Sequence, residues 1–406
     1  MKRSIAEKSW TVMVYMAGDN NLDPEGSLDL KEMKKAGSSD DVSIIAQFDR
    51  AAGHTARRYY LRKGGIVTGD AVASLGKVNT GDPASLENFI LWGIENYPAK
   101  HYLLVLWNHG QGWDDTDVYA DERHRSLRRL ASSARHSLFR TGTRKAMQKA
   151  ISSIEYRAIL LDDNAKDFLD NQEMQKVLAK TAKSLGRNID ILGMDACLMS
   201  MAEVGYQISD STSYTVGSEQ TEPGSGWPYD KILSALLKKP SMSPKDLSTL
   251  IVDCYLASYP EKEPVTLAAC DLSKSDKVAE AVGALAEALK TGLGEKKLQQ
   301  AIQGVRNKVQ SYDVRDNIDL LDFCSLLAGE GVKEGIKTAC RNVIAAVQNG
   351  YVLKQGHKNK SMQHSNGVAI YFPLVSVSPL YPKLEFSKKT GWDSFLEAYL
   401  EAIRSR

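Results

Sequence analysis

Residues 102–113 read YLLVLWNHGQGW. The apolar run Tyr102 to Trp107 stops at Asn108-His109-Gly110, and a second glycine follows at Gly112. A short, continuous apolar run closed by turn-forming residues predicts a strand buried on both faces, as in a parallel sheet. The same punctuation recurs at 189–197, IDILGMDAC, where an apolar run ends in Asp195-Ala196-Cys197. His109 and Cys197 therefore stand just past the carboxyl ends of two strands, where open α/β sheets bind their ligands. If the strands are neighbours, roughly 4.8 Å apart, the two side chains open onto one crevice as a Cys-His dyad.

Each feature alone has a plainer reading. A lone cysteine after a strand is commonly structural, and a lone histidine in a loop is commonly solvated. Residues 198–207 look helical, so Cys197 is expected beside a helix N-terminus, which would favour the thiolate. Asp195 would oppose that thiolate by charge. Its place two residues before the cysteine suits another task, the binding of a cationic group.

Outward from these strands, the chain alternates strand and helix. Strands are expected at Trp10–Met16, Val42–Phe48 and Tyr214–Ser218, with an edge hairpin from Arg57–Leu61 and Ile66–Thr68. Helices are expected at Leu28–Lys35, after Asp82-Pro83 to about Asn96, and over Asp170–Leu185. Asp82 suits an N-cap. This alternation implies an α/β fold with a mostly parallel sheet flanked by helices. After about Lys239 helical stretches dominate, at Pro244–Tyr259, Lys277–Leu293, Lys296–Lys308 and Ile318–Gln348. Strand-like runs interrupt them at Val265–Cys270 and Gly367–Phe372. We therefore divide the chain into a catalytic domain over 8–239 and an α-rich C-terminal region over 240–406, which contributes strands to the first sheet or packs on it.

Composition excludes several classes. A net charge of +2 over 406 residues gives no reason to expect nucleic acid or membrane as a partner. No apolar run is long enough to span a bilayer, and the first eight residues, MKRSIAEK, are too polar for a signal peptide. The protein either stays in the cell or is secreted with its leader missing from this sequence. The five cysteines are scattered and odd in number, without a CxxC pair, so neither a zinc site nor a disulfide framework is expected. His54, His101, His124, His136, His357 and His364 have no partner pattern and read as structural or solvated.

Five pieces in order, TVMVYMAGDNNLD, LWNHGQGW, MDACLMSMAEVGYQ, VGSEQTEPGSGWPY and SNGVAIYFP, together resemble the clostripain family of cysteine peptidases, over about Trp10 to Phe372. The resemblance implies a caspase-like fold, cleavage of proteins or peptides after Arg or Lys, and maturation by self-cleavage. Carried over residue by residue, it makes Cys197 the nucleophile and His109 the general base. It gives the backbone N–H groups of Gly110 and Cys197 to the oxyanion hole, and it puts Asp195 at the base of the pocket for the P1 side chain. The loop after the Tyr214 strand should shape that pocket, and Ser218 and Glu219 are assigned to it.

The resemblance gives meaning to the basic segment 123–149, RHRSLRRLASSARHSLFRTGTRKAMQK, which lies between His109 and Cys197. Its plain reading is a solvated basic loop or a nucleic-acid patch, but Phe139 is its one aromatic residue, which argues against single-strand binding. For an enzyme of this specificity it is a processing segment, with Arg129, Arg140 and Lys145 as candidate sites and Lys166 as another. Cleavage there would leave a light chain carrying His109 and a heavy chain carrying Cys197. No cofactor is expected. The acidic run Asp114, Asp115 and Asp117, with Asp121 and Glu122 beyond, leaves calcium open as an alternative, although it lacks the EF-hand pattern. The competing functional class is a catalytically silent relative that uses the same crevice for binding.

Overall fold

The computed structural model describes residues 6–53, 55–116, 119 and 159–404. In chain order its strands are β1 (Lys8–Gly18), β2 (Val42–Arg50), β3 (Ala56–Tyr60), β4 (Ala71–Gly76), β5 (Ala99–Trp107), β6 (Ile159–Asp162), β7 (Asp167–Leu169), β8 (Ile189–Asp195), β9 (Thr212–Gly217), β10 (Thr266–Asp271), β11 (Asn317–Asp319), β12 (Val352–His357) and β13 (Ala369–Tyr371). Nine of them form one sheet in the order β12-β10-β9-β8-β5-β1-β2-β3-β4. The central five, β9, β8, β5, β1 and β2, are parallel. Both edges are antiparallel, β3 and β4 on one side and β10 and β12 on the other.

The parallel strands are apolar on both faces because both faces are covered. Met13, Tyr15, Leu104, Leu106, Leu192 and Met194 point into one core, with Phe89, Val177 and Val282 of the helices Pro83–Asn96, Asn171–Leu185 and Ser275–Gly292. Their neighbours Val12, Val14, Leu103, Val105 and Ile191 point into the other, with Met33, Ile232 and Ile251 of the helices Asp23–Ala36, Tyr229–Lys238 and Pro244–Ser258. The alternation is the strand period of two, applied twice. Helix starts follow capping chemistry: Asp82 accepts from the Ala84 N–H, and Asp170 forms a reciprocal capping box with Glu173.

Residues beyond 239 enter the same sheet through β10 and β12. They also bring β13 against the segment after β8, where the Ala369 N–H donates to the Ser200 carbonyl at 2.9 Å. The Trp392 indole N–H then donates to the Tyr371 carbonyl at 2.7 Å, tying the helix Trp392–Arg404 to β13.

Three local expectations are corrected. The second arm of the edge hairpin is β4 at Ala71–Gly76, not Ile66–Thr68. Buried Asp70 draws the intervening residues into a short turn by pairing with Lys34 and with Arg62. The expected helix over Ile318–Gln348 is instead β11 followed by two helices, Leu320–Gly329 and Glu334–Ala346. Asp319 caps the first of these by accepting from the Asp322 N–H, and Gly329 and Gly331 stand at the break. The helix expected at Leu198 begins only at Ala202, because Leu198 adopts φ 64° and the N–H groups of Leu198 and Ser200 are spent on the carbonyls of Gln220 and Ser218. Among the described residues, no helix is long and apolar enough to cross a membrane.

Glu203, on the short helix Ala202–Gln207, is fully buried. One carboxyl oxygen accepts from the Tyr371 N–H and the Tyr381 hydroxyl, each at 2.8 Å. Burial pushes its pKa from 4.5 up to about 7. The folded protein thus keeps a proton that the unfolded chain releases, so stability is full below pH 4.5 and is lost as pH rises through 7, by on the order of 3 kcal/mol. In thermal melts between pH 5 and 7.5, Glu203→Gln is expected to flatten this decline relative to wild type. Parallel slopes would mean that Glu203 is ionised inside the fold.

Candidate active site

Strands β5 and β8 are direct parallel neighbours, with Trp107 opposite Asp195 at their carboxyl ends. His109 lies two residues past β5 and Cys197 two residues past β8. The two segments touch. A Cβ on Gly110 would sit 2.6 Å from the Cys197 carbonyl oxygen and 3.0 Å from the Ala196 Cβ, so only glycine permits this approach. Gly112, at φ 69°, lies likewise against the Leu198 carbonyl and the Met201 side chain.

His109 is held from two sides. Its neighbour Asn108 is buried, donates through Nδ2 to the carbonyls of Ala17 and Leu161, and accepts through Oδ1 from the N–H groups of Leu161 (3.0 Å) and His109 (2.5 Å). The ring Nε2 lies 2.8 Å from the Asn21 Oδ1. Burial pulls the imidazole pKa down to about 4, so His109 is neutral at pH 7.

Cys197 is half-buried. Its sulfur accepts from the Glu222 N–H at 3.2 Å. The thiolate favoured by a helix N-terminus does not materialise. The helix starts five residues later and is one and a half turns long, and burial pushes the thiol pKa up. The Glu222 N–H acts the other way, while the charges of Asp313 and Asp195 add to the rise. The resting crevice therefore holds a neutral thiol and a neutral base, and a thiolate arises there only when the base takes the thiol proton.

Asp195 is buried beside them. Its Oδ2 accepts from the Tyr229 hydroxyl at 2.7 Å, and its charge acts on the carboxyl of Glu222. Two buried carboxyl groups that repel each other do not both ionise. Asp29 joins them electrostatically from the helix Asp23–Ala36, accepting from the Trp107 indole N–H at 2.7 Å. Burial raises all three pKa values, Asp195 to about 6, Asp29 to about 8 and Glu222 well above its usual range. The cluster is a buried acidic floor whose protons an entering cation would displace.

Sequence reasoning singled out Asp195 but missed Glu222, Asp29 and Asn21. Glu222 lies in the quoted loop, and its signal was the loop itself. Ser218 and Glu219 are both buried. The Ser218 hydroxyl pairs with the Thr266 hydroxyl at 3.0 Å, and Glu219 accepts from the Tyr312 hydroxyl (2.7 Å) and the Gly367 N–H (3.1 Å). Both brace the loop against residues beyond 265. Lys166 sits at φ 56° in the turn joining β6 to β7, where Asp162 accepts from the N–H groups of Asn164 and Ala165. A peptidase binds its substrate extended, so this turn must open before Lys166 is cut. Arg129, Arg140 and Lys145 lie outside the described residues, as do Asp117, Asp121 and Glu122 of the acidic run. Within that run, Asp114 accepts from Thr116 and Asp115 from Asn171. Among the described residues the carboxylates close enough together to share a metal ion are Asp19, Asp49 and Asp162. Both oxygens of Asp162 already accept, from Thr80 and from the turn N–H groups.

Known proteins resemble this chain in sequence and in fold. Clostripain of Hathewaya histolytica is 29% identical over 257 residues, a match covering 56% of this chain and only 42% of that protein's length. Two solved structures share the fold over 95% of this chain. One is a secreted C11 cysteine protease from Bacteroides thetaiotaomicron in complex with an irreversible peptide inhibitor (TM-score 0.64, 21% identity, 100% of that chain). The other is an inactive zymogen C11 protease from Parabacteroides distasonis (TM-score 0.67, 19% identity, 99% of that chain). The fold is thus the caspase-like one that the sequence resemblance implied. Residues 14–127 and 145–399 match the profile of the Peptidase C11 family, and with that match running over most of its length the chain belongs to the clostripain family.

Proposed function

We propose that this protein is a cysteine endopeptidase that cuts after Arg or Lys through Cys197 and His109, and that it matures by cutting its own chain between them. The observation that carries this reading is the contact of the Gly110 loop with the Cys197 carbonyl, two residues beyond buried Asp195. His109 takes the Cys197 proton, and the sulfur attacks the scissile carbonyl. The N–H groups of Gly110 and Cys197 receive the oxyanion. The C–N bond then breaks, and the leaving amine takes the proton from His109. Water, deprotonated by the same ring, hydrolyses the thioester and restores the thiol. The carboxyls of Asp195 and Glu222 hold the P1 guanidinium or ammonium.

A panel of fluorogenic peptides varied at P1, assayed with and without a calcium chelator, tests the reading. Cys197→Ala and His109→Ala are expected to abolish turnover, and since Cys197→Ala removes only one half-buried sulfur its melting temperature should change little. Undiminished hydrolysis by purified Cys197→Ala would remove the dyad. A silent binding protein would instead show no turnover even as wild type.

Specificity gives a second expectation. Leaving a buried cation without its carboxylate costs about 3–5 kcal/mol. Asp195→Asn should therefore lower kcat/KM for Arg and Lys substrates by about two orders of magnitude or more. With Asp195 titrating at about 6, wild-type kcat/KM for these substrates should fall as pH drops below that value. Equal cleavage after Leu and Arg by the wild type would contradict the assignment.

Processing gives a third. Wild-type protein should appear as two fragments on a denaturing gel, with a new N-terminus after an Arg or Lys of segment 123–149 or after Lys166, while Cys197→Ala runs as one chain. Mass spectrometry of both preparations decides it. A fully active wild type that stays intact would show that this chain needs no processing.

A further inference from the structure

We propose that Asn21 is the positioning residue that fixes the tautomer of His109, keeping a proton on Nε2 so that Nδ1 receives the proton of Cys197. The inference rests on the dyad proposed above and adds to it a residue from a third segment of the chain.

Asn21 lies just past the end of β1, the strand next to β5 in the sheet. Its backbone is pinned on both sides. The preceding Asn20 is buried, donates through Nδ2 to the carbonyls of Ala17 (3.0 Å) and Leu161 (2.8 Å), and accepts from the Leu22 N–H (2.9 Å). The helix Asp23–Ala36 begins two residues later. Between these anchors the Asn21 side chain reaches His109, with Oδ1 2.8 Å from Nε2.

The chemistry follows from the donor inventory. A neutral imidazole has one N–H and one lone pair. An amide oxygen only accepts, so a bond from Nε2 to the Asn21 Oδ1 puts the hydrogen on Nε2 and the lone pair on Nδ1. The opposite tautomer would turn an N–H toward the nucleophile and leave no base. During turnover the thiol proton passes from Sγ to Nδ1, the sulfur keeps the electron pair and attacks the carbonyl, and the Nδ1 proton passes to the leaving nitrogen. The Nε2 proton stays on the ring throughout, donated to the Asn21 Oδ1, and the same bond stabilises the intervening imidazolium. His109 needs that help because burial, which pulls its pKa to about 4, disfavours the charged ring. Asn21 itself is exposed and touches no reacting atom in this account, which makes it a positioning residue.

The test uses full-length protein and a fluorogenic Arg-P1 peptide amide, with Cys197→Ala in parallel. Asn21→Ala is expected to lower kcat at least about 10-fold with KM within about twofold, as the loss of a bond to the base requires. Asn21→Asp keeps an acceptor and adds a negative charge. It should retain most of the activity and raise the His109 imidazole titration, followed by NMR, by about one pH unit, because a carboxylate favours the imidazolium. Ring nitrogen–proton NMR, with His109 assigned by the His109→Ala spectrum, should show the Nε2–H form in the wild type and a mixture in Asn21→Ala. A wild-type kcat in Asn21→Ala, an unmoved His109 titration in Asn21→Asp, or an Nδ1–H ring in the wild type would each overturn the proposal. If Cys197→Ala is inactive while these failures occur, the Asn21 assignment falls alone. If Cys197→Ala remains active, the dyad falls first.

Discussion

Five register pairs between β5 and β8, from Leu103 opposite Ile191 to Trp107 opposite Asp195, set the level at which both strands end. A parallel ladder fixes register wherever both faces are buried, since a slip of one residue would exchange every side chain between the two cores. Here Leu104 and Leu192 point one way and Leu103 and Ile191 the other. That constraint places the His109 and Cys197 loops at the same height, and the small Gly110 lets them close on each other. The acidic floor depends on it too, because Asp195 is the last residue of β8 and Trp107, which holds Asp29, is the last of β5.

The site works against its own solvation. Burial raises Cys197, Asp195, Glu222 and Asp29 and lowers His109, so each group is pushed toward its neutral form. A crevice built in this way keeps its charges latent. An incoming peptide that brings a cation and excludes water changes that balance at the floor and at the sulfur together, since the Glu222 side chain meets Asp195 while its N–H meets Sγ. The loop 218–229 is therefore the physical link between what the crevice binds and the group proposed to react.

Much of this was legible in the sequence for definite reasons. Apolar runs closed by Asn-His-Gly and Asp-Ala-Cys marked two buried strands and the residues beyond their ends. Asp82 announced a helix start through capping chemistry. What was not legible depends on partners distant in sequence. Leu198 looked helical because its run is apolar, and it is diverted by carbonyls of residues 218–220 and by β13. Glu219 and Glu222 are equally acidic in sequence. Tyr312 and Gly367 claim the first and Asp195 the second, and neither set of contacts leaves a local trace. The strand β12, VLKQGH, is an exposed edge of mixed polarity, so no periodicity announced it.

The strand order also divides the molecule in an unexpected way. Every sheet strand before residue 110 lies on one side of the β5–β8 seam, and every sheet strand after residue 188 lies on the other. The two stretches of chain are thus two contiguous blocks joined edge to edge, as separate subunits of a heterodimer would be. The hairpin β6–β7 reaches back across the seam as a clasp, with the Leu161 main chain bonded to Asn108 and Asn20. His109 belongs to one block and Cys197 to the other, so the crevice is a property of the interface and of neither block alone.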